Sequence, residues 1–175
     1  DYSESGYFIF NTLLFLIGGF LVMWMAAGFA MLETGLVRSK NASTQLLKNV
    51  ALFSLASIAY FIVGFNLMYP GDGWIIDGWM GGFSLTGLEP AGVGADGVDL
   101  TYASVGSDFF FQLMFCAATA SIVSGTVAER VKLWPFLIFT IVLTGIFYPI
   151  SASWQWGGGW LSEAGFSDFA GSTVV

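Results

Sequence analysis

Four stretches of this chain are long, apolar and almost free of charged residues, and this constrains the fold more than any other feature. They span residues 7–32, 51–69, 109–128 and 133–154. A helix of about 20 apolar residues crosses the hydrocarbon core of a bilayer, and a helix satisfies its own backbone polar groups there. The pattern predicts an all-α polytopic membrane protein with four complete transmembrane helices. A fifth helix is expected to start near Asp168.

The composition excludes several functional classes. Only 10% of the residues are charged, whereas soluble domains contain about 25%. Five bases in the whole chain cannot neutralise a run of phosphates, so a nucleic-acid partner is not expected. One cysteine and no histidine remove an internal disulfide, a cysteine-type zinc site and the usual general base. With no acid–base pair or nucleophile constellation in view, the sequence predicts neither an enzyme nor a bound cofactor.

The charges predict an orientation in the membrane. Bases occur only near the connections between spans 1 and 2 and between spans 3 and 4: Arg38, Lys40, Lys48, Arg130 and Lys132. Because cytoplasmic loops are rich in Lys and Arg, both connections should be inside and the N-terminus outside. The predicted outer segments carry only acids: Asp1, Glu4, Asp72, Asp77, Glu89, Asp96, Asp99, Asp108, Glu163 and Asp168. They form either a solvated surface or a field that concentrates cations at an outer mouth.

Aromatic residues mark two candidate positions near the predicted outer ends of spans 3 and 4. Phe111 and Phe115 are four residues apart, so they share a helix face. They either pack against lipid and neighbouring helices or form an aromatic constriction in a pore. Trp156 precedes three glycines, Gly157 to Gly159. It is either an interfacial anchor or a ring turned into a vestibule, where its face would attract a cation.

Three further positions have simple structural interpretations. Asp168 is predicted to cap the fifth helix, although an acid entering a membrane is also a functional candidate. Glu129 and Arg130 are interpreted as a local charge pair at an inner helix terminus. Cys116 is expected to be a small buried side chain. The long connection at residues 70–107 is expected to cap the outer face.

Four motifs resemble the ammonium transporter family, which includes the Amt, Mep and Rhesus proteins, and they occur in the family's order. They are GFAMLETGLVRSKN at 28–41, SIVSGTVAERVKLWP at 121–135, YPISASWQWGGGW at 148–160 and DFAGSTVV at 168–175. The last two, together with Ala128 to Arg130, are the most specific. The resemblance covers nearly the whole chain but about the first half of a family member.

The resemblance implies a fold, a function and site residues. Members are homotrimers of eleven-helix subunits with inverted repeats, and each subunit has its own pore. By resemblance, Trp156 corresponds to the vestibule tryptophan, Phe115 to a gate phenylalanine, Phe111 to its vestibule partner, and Asp168 to a structurally required aspartate. The implied function is transport of ammonium or ammonia across the cell membrane, with the lipid bilayer as surroundings. A cytoplasmic regulator of the PII type is a further partner to be tested.

One departure from the family pattern remains open at this point. In the family, two pore histidines take part in deprotonation, and the first directly follows the motif that here reaches Val175. The chain is therefore expected to be part of a longer protein that supplies the histidines and the other half of the pore wall. Two alternatives to transport remain: an ammonium sensor of the same fold coupled to a signalling domain, and a membrane anchor without a pore.

Overall fold

A computed structural model describes residues 2–85 and 102–175, with side chains from residue 5 onward. Four helical stretches in this part of the chain are long and apolar enough to cross a membrane: Ser5–Leu36, Ser39–Met68, Val105–Thr126 and Leu133–Ser153. This confirms the predicted helical class with four spans. We call the end of the bundle that contains Tyr69 and Trp156 the outer end, following the predicted orientation, and the opposite end the inner end.

The second and fourth helical stretches each consist of several helical segments. Helix α1 covers Tyr2–Leu36 and is followed by a 3₁₀ turn at Ser39–Asn41. The second stretch consists of α2 (Ala42–Ala59), a π-helical turn (Tyr60–Gly64) and α3 (Phe65–Met68). A two-stranded hairpin follows, with β1 at Trp74–Ile76 and β2 at Met80–Gly81, and then α4 at Val105–Thr126. The last stretch consists of α5 (Leu133–Val142), a second π-helical turn (Leu143–Phe147) and α6 (Tyr148–Ser153), and the short α7 covers Trp160–Glu163.

One predicted boundary differs from the structure. The second span was placed at 51–69, but its helix already begins at Ala42, because Gln45, Lys48 and Asn49 are buried against neighbouring helices instead of lying in a loop. The predicted start of a fifth helix near Asp168 agrees with the last described residues. The chain is extended at 166–168 and then enters turns, where Val175 N donates to the Gly171 carbonyl at 3.1 Å with the spacing of a helical turn.

The two π-helical turns pack against each other. The backbones approach closely there, since a Cβ atom on Gly64 would lie 3.1 Å from the carbonyl oxygen of Thr144. A Cβ on Gly145 would lie 3.5 Å from the Cβ of Ala59. Glycines at this level therefore let the second and fourth stretches come together above the middle of the bundle.

A buried polar network joins α1, α2 and α4 at their inner ends. Glu33 is 2% exposed, and its Oε2 accepts hydrogen bonds from Asn49 Nδ2 at 2.8 Å and Ser124 Oγ at 2.9 Å. Gln45 Nε2 donates to the same oxygen. Lys48 is also buried, and its Nζ donates to the Ser124 carbonyl at 3.0 Å. The network places a buried acid and a buried base close together inside an otherwise apolar bundle.

The two inner connections are held together through Glu129. Its Oε1 accepts from Arg38 N at 3.0 Å, Arg38 Nε at 3.3 Å and Asn41 Nδ2 at 2.5 Å. The expected local pair with Arg130 is therefore replaced by an ion pair with Arg38, across 91 positions of sequence. Glu129 has a positive φ of 61°, so the left-handed turn after α4 aims its carboxylate back at the first inner connection.

Three tryptophans tie the outer connections together. Trp79, in the hairpin turn, stacks on Trp160 with ring centroids 4.9 Å apart, and Trp154 Nε1 donates to the Trp79 carbonyl at 2.8 Å. Across the bundle, Asn11 Nδ2 donates to the Tyr102 carbonyl at 2.9 Å. The described parts of the 70–107 connection thus cover part of the outer end, as predicted. Of the predicted outer acids, Asp1, Glu89, Asp96 and Asp99 lie outside the described residues, and Glu4 lies outside the described side chains.

Candidate functional site

The predicted gate residues lie on α4, as the sequence indicated. The Phe111 and Phe115 rings meet edge to face, with centroids 4.9 Å apart. Phe111 also contacts Phe15 of α1, with centroids 5.1 Å apart, and a Cβ on Gly18 would lie 2.8 Å from the Phe111 ring. Because Gly18 has no side chain, the Phe111 ring can lie directly on the backbone of α1.

Trp156 is positioned by the glycines that follow it. Its amide donates to the Ala152 carbonyl at 2.8 Å, which continues the helical turn of α6. Gly158 then has a positive φ of 78°, and a Cβ on Gly159 would lie 2.7 Å from the Gly78 carbonyl oxygen. Glycine is required at position 158 because of its positive φ, and at position 159 because the Gly78 backbone comes too close for a side chain. The chain therefore turns away sharply just after the tryptophan.

Asp168 organises the segment that lies beside Trp156. Its Oδ2 accepts hydrogen bonds from the backbone amides of Thr173 at 3.1 Å and Val174 at 2.9 Å. The carboxylate thus bonds free amides, as the capping interpretation expected, and it closes a loop that leads into the turn between Gly171 and Val175. A Cβ on Gly171, inside this loop, would lie 3.5 Å from the ring of Trp156.

Three of the four predicted site positions converge at the outer end. Phe115 and Trp156 pack against one buried cluster, and so does Val174, whose amide bonds Asp168. The buried members of this cluster are Tyr60, Phe65, Met68, Cys116, Tyr148 and Ala152. Cys116 is fully buried, as expected. Phe111 touches Phe115 but leans towards α1, so it borders the convergence and does not lie at its centre.

One turn inward, α4 contacts the segment that Asp168 holds. Thr119 Oγ1 lies 3.5 Å from the Val175 carbonyl oxygen, and it also donates to the Phe115 carbonyl at 3.1 Å. Phe115, Trp156 and the two valines therefore form a wall that is aromatic at its outer part and aliphatic below. Aromatic faces attract a cation, whereas an aliphatic surface suits only a neutral molecule.

Sequence reasoning missed the buried polar residues beside this wall. Asp108 was assigned to the outer acids and interpreted as solvated or field-forming, but it is 7% exposed. It lies in the first turn of α4, and Gln112 and Tyr148 are buried as well. Hydropathy alone does not indicate this. A usable signal was the spacing of residues 108, 112, 115 and 119, which places Asp108 on the helix face of Phe115.

A metal centre is not part of the described site. Within residues 2–85 and 102–175, no three His, Cys, Asp or Glu side chains come together as metal ligands.

Comparison with known proteins identifies relatives over almost the whole chain. The chain is 44% identical to the ammonium transporter Amt2 of Archaeoglobus fulgidus, over 91% of its own length and 34% of that protein. It is 34% identical to an ammonium transporter of Bacillus subtilis, over 94% of its own length and 40% of that protein. The chain thus spans a third or slightly more of the length of these curated relatives.

Solved structures agree with this relationship. A protein described as a sensor Amt protein superposes with a TM-score of 0.82 at 35% identity, covering 98% of this chain and 42% of that structure. Mep2 of Candida albicans gives a TM-score of 0.76 at 27% identity, covering 98% and 37%. The sequence profile of the Ammonium Transporter Family matches residues 13–175. The chain therefore belongs to the ammonium transporter family.

Proposed function

We propose that this chain forms part of a transporter that moves ammonium or ammonia across a membrane. The observation that carries the proposal is the convergence of Phe115, Trp156 and the loop closed by Asp168 at one end of a membrane-spanning bundle. This happens in a chain of the ammonium transporter family. The curated relatives are named as transporters, which supports a transport role over a catalytic one.

The physical chemistry of the wall suits this substrate. The face of a desolvated tryptophan is worth about 2 kcal/mol to a cation, but a bare ion in an apolar medium costs tens of kcal/mol. The aromatic wall can therefore recruit ammonium at the mouth but cannot carry it past the aliphatic surface of Val174 and Val175. Loss of a proton converts the ion to neutral ammonia, which such a surface tolerates, and potassium has no proton to lose.

Sidedness and partners belong to the same proposal. The bases lie at the inner end and the described acids lie mostly at the outer end, which favours an external N-terminus. We further propose a homotrimer in the cell membrane and a regulator of the PII type at the inner face. The sensor alternative is supported by one structural neighbour described as a sensor, but both curated relatives cited above are named as transporters.

Methylammonium uptake tests the proposal. The protein containing this chain is produced in cells that lack their own ammonium uptake, and Trp156→Leu and Asp168→Ala are compared with it. Trp156→Leu should raise the half-saturating concentration, since it removes the cation-attracting ring. Asp168→Ala should lower the maximal rate, since two backbone amides lose their acceptor. Asp72→Asn, which changes an exposed outer acid, serves as the matched control. Unchanged uptake in both site variants would contradict the assignment.

A further inference from the structure

Asp108 continues the face of α4 that carries the predicted gate. Residues 108, 112, 115 and 119 are spaced by four, three and four, so all four side chains share one stripe of the helix. Seven residues separate Asp108 from Phe115, which corresponds to about 10 Å along the axis. Asp108 thus lies about two turns outward of Phe115, in the direction from which a substrate would come.

Polar atoms in this region lack hydrogen-bond partners although they are buried. Asp108 Oδ1, Gln112 Oε1 and the Tyr148 hydroxyl bond no partner in the described structure. The three residues are 7%, 8% and 2% exposed. Leaving such groups unpaired is costly. Asp108 Oδ1 and Gln112 Oε1 act as acceptors, and the Tyr148 hydroxyl has only one hydrogen to donate, so at least one of the two acceptors requires a donor from elsewhere.

These atoms belong to one neighbourhood around Tyr69, just outside the second span. Burial and then the negative charge of Asp108 raise the pKa of Tyr69, and the Gln112 side chain also reaches this hydroxyl. Burial and then the same carboxylate raise the pKa of Tyr102 to about 12. Tyr148 belongs to the cluster on which Trp156 and Phe115 pack. Asp108 therefore lies near Tyr69 and Tyr102, at the outer end of the bundle.

The chain itself offers no base to balance Asp108. All five bases, Arg38, Lys40, Lys48, Arg130 and Lys132, belong to the inner end. Ser104 already caps α4 by accepting from the Ser107 amide at 3.3 Å, and the helix N-terminus favours an acid nearby without using its Oδ1. An ionised acid buried in a membrane segment is stabilised by a partner charge, and none of the five bases of this chain supplies one at the outer end.

We propose that Asp108, Gln112 and Tyr148 form a buried subsite for a small monovalent cation with N–H donors, of the ammonium or methylammonium type. The subsite lies outward of Phe115 and is separate from the face of Trp156. It rests on the proposed transport function and deepens it: the carboxylate supplies the charge, and the amide and hydroxyl oxygens accept the remaining N–H groups. A cation held there is already stripped of part of its water before it reaches the aromatic wall.

The test compares Asp108→Asn with wild type in methylammonium uptake by the protein containing this chain. The substitution keeps the shape and removes the charge, so the half-saturating concentration should rise about tenfold, equivalent to 1.4 kcal/mol, with the maximal rate within about twofold. Asp108→Glu should stay near wild type, and Tyr148→Phe should show a smaller rise. Asp77→Asn, at an exposed acid of the hairpin, should change nothing.

Binding without transport gives an independent readout. Ammonium chloride should raise the melting temperature of the purified wild-type protein more than potassium chloride does, and this difference should disappear in Asp108→Asn. An unchanged half-saturating concentration in Asp108→Asn, or a loss of maximal rate alone, would overturn the subsite. If wild type takes up no methylammonium, the transport proposal fails and the melting assay alone decides. Equal stabilisation by both salts, or stabilisation that survives in Asp108→Asn, then overturns the subsite.

Discussion

Replacing Glu33 with alanine should destabilise the bundle more than any nearby substitution of similar size. The change removes the oxygen on which the side chains of Gln45, Asn49 and Ser124 converge. It also removes the carboxylate that interacts electrostatically with the buried Lys48. Three donors and one charge would then remain buried without their acceptor, and nothing apolar is added to fill the space.

The expected magnitude follows from the contacts. Breaking a buried charge pair by removing one partner costs about 3–5 kcal/mol, and each orphaned buried donor costs about 1–3 kcal/mol. Asn49 Oδ1 has no described donor, so Gln45 can turn to it and recover part of the loss. We therefore expect about 3–5 kcal/mol in total and not the full sum. At about 3 °C per kcal/mol, the melting temperature should fall by roughly 10–15 °C.

Thermal unfolding of the detergent-purified protein measures this. Thr34→Ala is the matched control, because the Thr34 hydroxyl donates only to the Ala30 carbonyl of its own helix, at 2.6 Å, and should shift stability by less than about 1 kcal/mol. A double-mutant cycle of Glu33→Gln with Lys48→Met should show coupling, because each change leaves the other charge alone. A Glu33→Ala protein as stable as Thr34→Ala, or strictly additive single changes, would refute the reasoning.

Three further outcomes are expected. Gly159→Ala should lower the free energy of unfolding by about 1–3 kcal/mol, because the new Cβ would overpack against the Gly78 carbonyl. Gly28→Ala is the control, because no neighbouring atom lies within 4 Å of its new Cβ. Equal melting temperatures of the two variants would count against the tight turn. Hydrogen bonds from Asn41 and Arg38 lower the pKa of Glu129 below its ordinary 4.5, so its stabilising contribution is present above pH 4.5 and lost as the pH falls through the lowered value. The stability gap between wild type and Glu129→Gln should accordingly shrink in acid, and a widening gap would contradict this. Phe115→Ala should change the ratio of methylammonium to potassium uptake by liposomes, and an unchanged ratio would place Phe115 away from the permeation path.

The helical class could be predicted because hydropathy over about 20 residues is a strong signal. The start of the second span could not, because the helix uses polar residues as its inner core. Gln45, Lys48, Asn49, Leu52 and Ala56 form one buried stripe, and only its spacing, not its polarity, indicates a helix. Their partners, Glu33 and Ser124, come from other parts of the sequence, and a hydropathy scan does not pair them.

The candidate site, like the fold, could be predicted only in part from the sequence. The positions of Phe115 and Trp156 followed from motifs, and the three glycines after Trp156 already suggested a sharp turn. What could not be predicted is the loop that Asp168 closes, because its acceptor bonds five and six residues ahead depend on the left-handed Gly171 between them. Asp108 was assigned to the outer connection because it immediately precedes the predicted third span at 109–128, although its side chain is buried.

The paired π-helical turns determine which way the outer part of the fourth stretch points. Each π turn holds one residue more than the α-helix it interrupts, and one residue corresponds to about 100° of rotation. If the segment Leu143–Phe147 formed an ordinary α-helix with the same number of residues, everything after it would be rotated by more than a quarter turn. Tyr148, which is 2% exposed, would then leave the core, and Trp156 would be carried away from the cluster that it packs against. The widened turn thus acts as an angular offset that aims the mouth of the site, separately from the residues that form it.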